Sequence, residues 1–243
     1  MSFATPISDQ RDVVDGSRPL AITDGEIHFL WWFIQGSIMT PETRNALLRG
    51  FGFCERHAWV NLSVEMAFRK RHFLGSVILY RALVEKAVQA IQARKRRGLR
   101  SPLNRLQAAG PCFLCALNIG HAGAGAAPPA RLERGRDSSG LRSFAARLAP
   151  LWLPQVCTDC ANEAGTPARC RPHLLAALKS DNPIDLSRVG PTLQELAVRL
   201  GRYEKSFVAG EGQPSDQDRA ALIAAVGWCS GWRPLLGLLR SSG

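Results

Sequence analysis

In Gly52-Phe53-Cys54-Glu55-Arg56-His57-Ala58-Trp59-Val60-Asn61-Leu62 a pair of metal-type donors leads directly into a helix. Cys54 and His57, separated by two residues, run straight into an apolar helix face made by Trp59, Leu62 and Met66. A Cys-x2-His step lets one tight turn aim two soft donors at a single ion. Placing them in the first turn of a helix adds backbone N–H groups that favour a thiolate. The same spacing recurs in Cys112-x2-Cys115, Cys157-x2-Cys160 and Cys170-x2-His173. Six of the seven cysteines and two of the five histidines fall in these doublets, too regular a pattern for ordinary buried cysteines.

Two doublets complete a tetrahedral shell, so eight ligands predict two closed sites, each with three Cys and one His. Cys157, Cys160, Cys170 and His173 form the natural local set, which leaves Cys54, His57, Cys112 and Cys115 for the other. A crossed arrangement joining Cys112 and Cys115 to Cys170 and His173 is the alternative. The two histidines favour zinc, two ions per chain, over an iron–sulfur cluster. A redox disulfide at Cys112/Cys115 is a separate reading. No doublet reads Cys-x2-Cys-His, so c-type haem attachment is not indicated. Cys229 lacks a spaced mate and reads as a small buried hydrophobe. His28, His72 and His121 have no matching partners and stay unassigned.

The rest of the chain reads as all-α, an irregular helical bundle braced by Cys/His zinc knuckles at helix starts. Thr23-Asp24-Gly25-Glu26 has capping-box spacing and opens a helix rich in bulky groups, Phe29 to Ile34. That density predicts burial on several sides, with an exposed aromatic patch as the sharper reading. Thr40-Pro41 predicts an N-cap and a first-turn proline for a helix ending at Gly50. A long helix over about 75–97 carries Val77, Tyr80, Val84, Val88 and Ile91 at core spacing. Further helices are predicted near 139–151, from Pro191 through Phe207, and from Ser215 to about Arg233, where Pro234 ends or kinks the last one. The tail beyond it is expected to pack back onto the core. The expected division is an arm over 1–22, a helical zinc-binding unit over 23–120, a flexible Gly/Ala/Pro-rich insertion over 121–140, and a second helical zinc-binding unit over 141–243.

With 243 residues the chain is long enough to bury a substantial core. The first residues lack the apolar centre of a secretory leader, and the densest apolar run is too short to span a bilayer. The expected compartment is the reducing cytoplasm, where closely spaced cysteines hold metal more often than disulfides. The net charge of +11 is localised, because Arg69 to Arg105 holds eleven Lys/Arg and one acid, Glu85. Within that stripe Arg69, Lys70, Arg71, Arg94, Lys95, Arg96, Arg97, Arg100 and Arg105 are the candidates for nucleic acid or an acidic partner. The plainer reading makes Arg94–Arg97 the cationic end of a helix.

Two short segments give a resemblance. Gly52-Phe53-Cys54-Glu55-Arg56-His57 closely matches, and Gly110-Pro111-Cys112-Phe113-Leu114-Cys115 more loosely matches, the Gly-Phe-Cys-x-x-His and Cys-Pro-x-Cys marks of a family of uncharacterised bacterial helical proteins. The Thr40–Arg44 stretch also looks similar. The resemblance implies a helical metal-binding architecture and a bacterial setting, and implies no activity. The family has a Cys-x2-Cys turn before its first aromatic helix, where this chain has Ala21 to Glu26. Either that pair is lost, or Cys157/Cys160 or Cys112/Cys115 replaces it.

Three functions compete. The first is a zinc-stabilised cytoplasmic interaction protein, an accessory or regulatory subunit with a protein partner, since closed Cys3His sites add folding energy and offer no position to substrate. The second is a nucleic-acid-binding regulator using the 69–105 stripe. The third is a zinc- or thiol-dependent enzyme, with His57 or Glu55 beside an incomplete site or with redox chemistry at Cys112/Cys115. No nucleophile triad, phosphate loop or dinucleotide fingerprint is present.

Overall fold

The structure is a computed structural model that describes residues 20–69, 73–93, 104–119, 127–162, 169–180, 186–208 and 212–241. These form helices and turns, with no strand among the described residues. The helices are α1 (Asp24–Phe33), α2 (Pro41–Arg49), α3 (Glu55–Arg69), α4 (Leu74–Gln92), α5 (Phe113–Ala116), α6 (Pro129–Arg136), α7 (Ser139–Arg147), α8 (Ala149–Trp152), α9 (Thr158–Ala161), α10 (Arg171–Lys179), α11 (Val189–Lys205), α12 (Asp216–Ser230) and α13 (Arg233–Arg240).

Helix α12 is the spine. It is apolar all round, and Ala220 through Ser230 are all buried, so it must be wrapped on every side. Helices α4 and α11 pack on it and on each other, and α3, α8 and α10 close the remaining sides. Its start is fixed by a capping box, in which Ser215 accepts from the Asp218 N–H and Asp218 accepts from the Ser215 N–H. The core stripe of α4 is as spaced in the sequence: Val77, Tyr80, Val84 and Ile91 are buried. One contiguous apolar cluster runs from Ile22 to Leu238 and draws on both of the expected units.

The α12–α13 junction departs from the expected reading of Pro234. The helix stops at Ser230, before the proline, because Gly231 adopts φ 115°. A Cβ at Gly231 would collide with the Glu55 carboxylate. Pro234 instead lies in the first turn of the new helix α13, where its missing N–H costs no hydrogen bond. The tail does return to the core: Trp232, Leu235 and Leu238 are fully buried, and Trp232 stacks on Trp152 at 5.6 Å.

The stretch expected as a flexible insertion, 121–140, contains helix α6 and the start of α7. Cations fasten α6 to its neighbours. Arg131 lies over the Trp31 ring at 3.6 Å, Arg134 donates to the Ala67 carbonyl at 2.7 Å, and Arg136 pairs with Asp24. This packing covers the side of α1 that carries Trp31. Phe33 is buried and Phe29 half-buried, while Trp32 stays 57% exposed. The aromatic helix is therefore mostly core, with one indole left outside.

Candidate metal centres

Each doublet is built on a helix start. Cys54 precedes α3 and His57 occupies its first turn. Cys170 is the N-cap of α10, with His173 in its first turn. Cys112 and Cys157 are the N-caps of the short helices α5 and α9, which carry Cys115 and Cys160. The approach to Cys54 needs an unusual backbone. Phe51 at φ 57° and Gly52 at φ 84° wrap the end of α2, and a Cβ on Gly52 would press the Leu83 side chain. The glycine of the Gly-Phe-Cys segment is thus required by both backbone conformation and space.

The folded chain brings the eight donors together in two sets, Cys54/His57/Cys112/Cys115 and Cys157/Cys160/Cys170/His173, with all donor atoms of a set within 4.8 Å of one another. The crossed pairing does not occur. In the first cluster the sulfurs of Cys54, Cys115 and Cys112 lie 3.2, 3.3 and 3.6 Å from His57 Nδ1, and the Cys54 and Cys115 sulfurs are 3.8 Å apart. In the second, Cys157, Cys170 and Cys160 lie 3.2, 3.2 and 3.5 Å from His173 Nδ1, with 3.8 Å between Cys160 and Cys170. A sulfur–sulfur edge of 3.8 Å belongs to a tetrahedron whose centre is about 2.3 Å from each sulfur, a metal–thiolate bond length. Each cluster could therefore hold one metal ion. All seven cysteines are free thiols, so Cys112/Cys115 is not a disulfide.

The electrostatics point the same way. In the first cluster the hydrogen bond between Cys112 and Cys54 lowers the Cys112 thiol to about 3 and drives Cys54 far up, while burial pushes Cys115 up to about 11. In the second cluster hydrogen bonds from Cys160 and Cys170 drop Cys157 far below the thiol range, and Cys170 is driven far up. Crowded thiols cannot all ionise without a cation among them. Burial would lower His57, but hydrogen bonds with Cys112 and Glu26 outweigh it and raise the imidazole to about 9. His173 rises to about 10 through hydrogen bonds with Cys157 and Cys160.

Outside the ligands the clusters differ. His57 Nε2 lies 2.9 Å from Oε1 of Glu26, a fully buried carboxylate that also receives both terminal nitrogens of Arg56. Burial opposes ionisation of Glu26, yet the hydrogen bonds from His57, Arg56 and the Thr23 N–H hold it well below the carboxylate range. Glu26 lies in the first turn of α1, and Cys112 and Cys115 complete the first set of donors. Glu55, adjacent to Cys54, serves the other side of the molecule: it accepts from the Arg233 backbone N–H at 3.1 Å and lies 3.8 Å from the guanidinium. That guanidinium is 3.4 Å from His173 Nε2. Arg171, between Cys170 and His173, is buried and donates to the carbonyls of Cys229 and Leu106 while stacking on Phe51.

The α12–α13 junction therefore sits between the knuckles. Ser230 donates to the Phe53 carbonyl, and Trp59 donates to the Gly231 carbonyl. Sequence reasoning missed Glu26, Arg171 and Arg233 as supports. The capping box placed Glu26, but nothing in its spacing pointed to His57. Of the basic candidates, Lys70, Arg71, Arg94, Lys95, Arg96, Arg97 and Arg100, and the side chain of Arg69, lie outside the described residues, and Arg105 is exposed. No described helix is long and apolar enough to cross a membrane.

No protein-family model, curated protein or solved structure gives a significant match to the chain.

Proposed function

We propose that this chain is a zinc-stabilised interaction protein, an accessory or regulatory subunit whose two Cys3His clusters are structural zinc sites. The supporting observation is that each cluster supplies four converging soft donors at tetrahedral spacing. Four protein ligands fill the shell of a zinc ion, so the ion would brace helix starts and leave no position for substrate or water. Bound zinc supplies folding energy here. The chain's own residues orient the imidazoles and shield the thiolates. Because thiolate ligands must stay reduced, a reducing cytoplasm suits the protein, in keeping with the bacterial setting that the Gly52–His57 segment implies.

The exposed indole of Trp32, 6.3 Å from the Phe29 ring, is the apolar handle for a protein partner. The test is co-purification of the full chain with its partner, for wild type and Trp32→Ala. The expected result is a stoichiometric companion that the variant loses while zinc content and helicity are unchanged. A zinc-loaded chain that retains the same companion after Trp32→Ala, or that has none, contradicts this reading.

A further inference from the structure

An imidazole that ligates a metal through Nδ1 carries its hydrogen on Nε2, and that N–H needs an acceptor. In the first cluster the acceptor is Glu26, seated between His57 Nε2 and the Arg56 guanidinium. The second cluster repeats two parts of this arrangement and lacks the third. His173 Nε2 faces Arg233 Nη2 at 3.4 Å, donor against donor, and among the described residues no carboxylate takes the place of Glu26. Glu55 engages Arg233 through its backbone N–H and Nη1.

His173 and Arg233 open into a cleft of about 530 Å³, whose wall also includes Arg169. Arg169 Nε is buried without a hydrogen-bond acceptor among the described residues, and Asp159 lies 3.7 Å from it as an ion pair. Among the described residues the cleft presents two guanidinium groups and an imidazole N–H, with Asp159 beside Arg169 and Glu55 on the far side of Arg233. Thr158, Asn162 and Ser180 add neutral polar groups to its lining. Arg233 Nη2 facing a metal-bound imidazole's Nε2–H, and the Arg169 Nε without an acceptor, call for an anion with planar, paired acceptors.

We infer that this cleft binds a carboxylate, held between His173 Nε2–H and the Arg233 guanidinium as Glu26 is held between His57 and Arg56. The inference rests on the reading that His173 holds a metal through Nδ1. The carboxylate belongs either to a small free acid or to an acidic side chain of a peptide, and the chemistry at the site is the same. Arg169 favours a ligand with a second acidic group.

The test uses the full chain after elemental analysis shows two zinc ions bound. Succinate and a short peptide with a single glutamate are titrated separately by calorimetry, and the ring nitrogens of both histidines are followed by NMR. Saturable binding is expected, with a shift at His173 and none at His57. Arg233→Gln and, independently, Arg169→Gln weaken it by about tenfold or more with zinc content unchanged, the scale of a lost charge-assisted pair. Tighter succinate binding identifies a free acid, and tighter peptide binding identifies a protein side chain. Failure of both probes to bind the two-zinc chain, or equal binding by wild type and both variants, overturns the carboxylate site. A chain that folds without metal overturns the reading beneath it instead.

Discussion

The two clusters have the same ligands and opposite exposures. In the first, the imidazole of His57 is buried, Cys54 and Cys112 are half-buried and Cys115 is exposed. In the second, all three cysteines are buried and His173 is the half-buried member. The buried imidazole has a buried carboxylate as its partner, and the more open one has an arginine and a cleft. The same donor set can thus meet its imidazole with the chain's own buried acid, as at His57, or with an arginine at the edge of a cleft, as at His173. The two sets therefore differ in what is exposed: a thiol, Cys115, at the first cluster and the half-buried His173 beside a cleft at the second.

The largest effect separates the clusters by their thiols. Cys170→Ser removes a fully buried ligand and is expected to abolish zinc binding at the second cluster and cooperative unfolding with it, since structural zinc supplies about 10–16 kcal/mol of apparent folding energy in small metal-braced peptides. Cys115→Ser, at the exposed edge, is expected to lower affinity at the first cluster while leaving a folded, one-zinc chain. Circular dichroism melts with metal counts on each variant check this, and equal damage from both would erase the distinction.

Glu26→Gln strikes the feature unique to the first cluster. It leaves Arg56 and the His57 N–H facing a neutral amide, so a loss of about 3 kcal/mol or more is expected. A 10- to 100-fold loss of zinc affinity confined to the first site should accompany it. Competition with a chromophoric chelator measures both sites at once, and an equal loss at the second would contradict the assigned role. Gly231→Ala tests the seam between the clusters. Positive φ and the adjacent Glu55 carboxylate predict a cost of about 1–3 kcal/mol, read from urea unfolding of zinc-loaded protein. A neutral result would mean that the junction tolerates rearrangement.

Proton release sharpens the comparison further. Without metal, the shifts favour protonated Cys54, Cys115 and His57 and a Cys112 thiolate near pH 7. Zinc binding at the first cluster should therefore expel about three protons, and its affinity should rise with pH until those groups have lost them. Calorimetry in buffers of different ionisation enthalpy counts them, and release of one or none would contradict the described ionisation. The smallest difference is kinetic: a thiol reagent or chelator should reach the first cluster through Cys115 before the second. Mass spectrometry over time, locating the first cysteine alkylated, decides the order.

The donor doublets were legible because spacing is local: each doublet is a single turn, and the apolar run after Cys54 or Cys170 marks the helix it opens. The choice between local and crossed pairing was not, because it depends on where α5 and α9 dock. Glu26 was visible as a cap, but its contact with His57 is made only once α1 packs on α3. Glu55 and Arg233 meet across 178 residues of chain, and no periodicity encodes that. Helix α6 was hidden within Gly/Ala/Pro-rich sequence because its contacts with α1 and α3 are made by Arg131, Arg134, Arg136 and a single apolar side chain, Leu132, with no apolar stripe to mark it. Pro234 misled because a proline in a first turn and a proline after a helix end look alike until Gly231 fixes the break.

X-ray absorption at the zinc edge on the full chain, with zinc counted per chain, tests the proposal of two closed Cys3His zinc sites. Two ions per chain, each averaging three sulfurs at about 2.3 Å and one nitrogen at about 2.0–2.1 Å, are the predicted result. Fewer than two ions, or a shell containing oxygen in place of a cysteine or histidine, would contradict it.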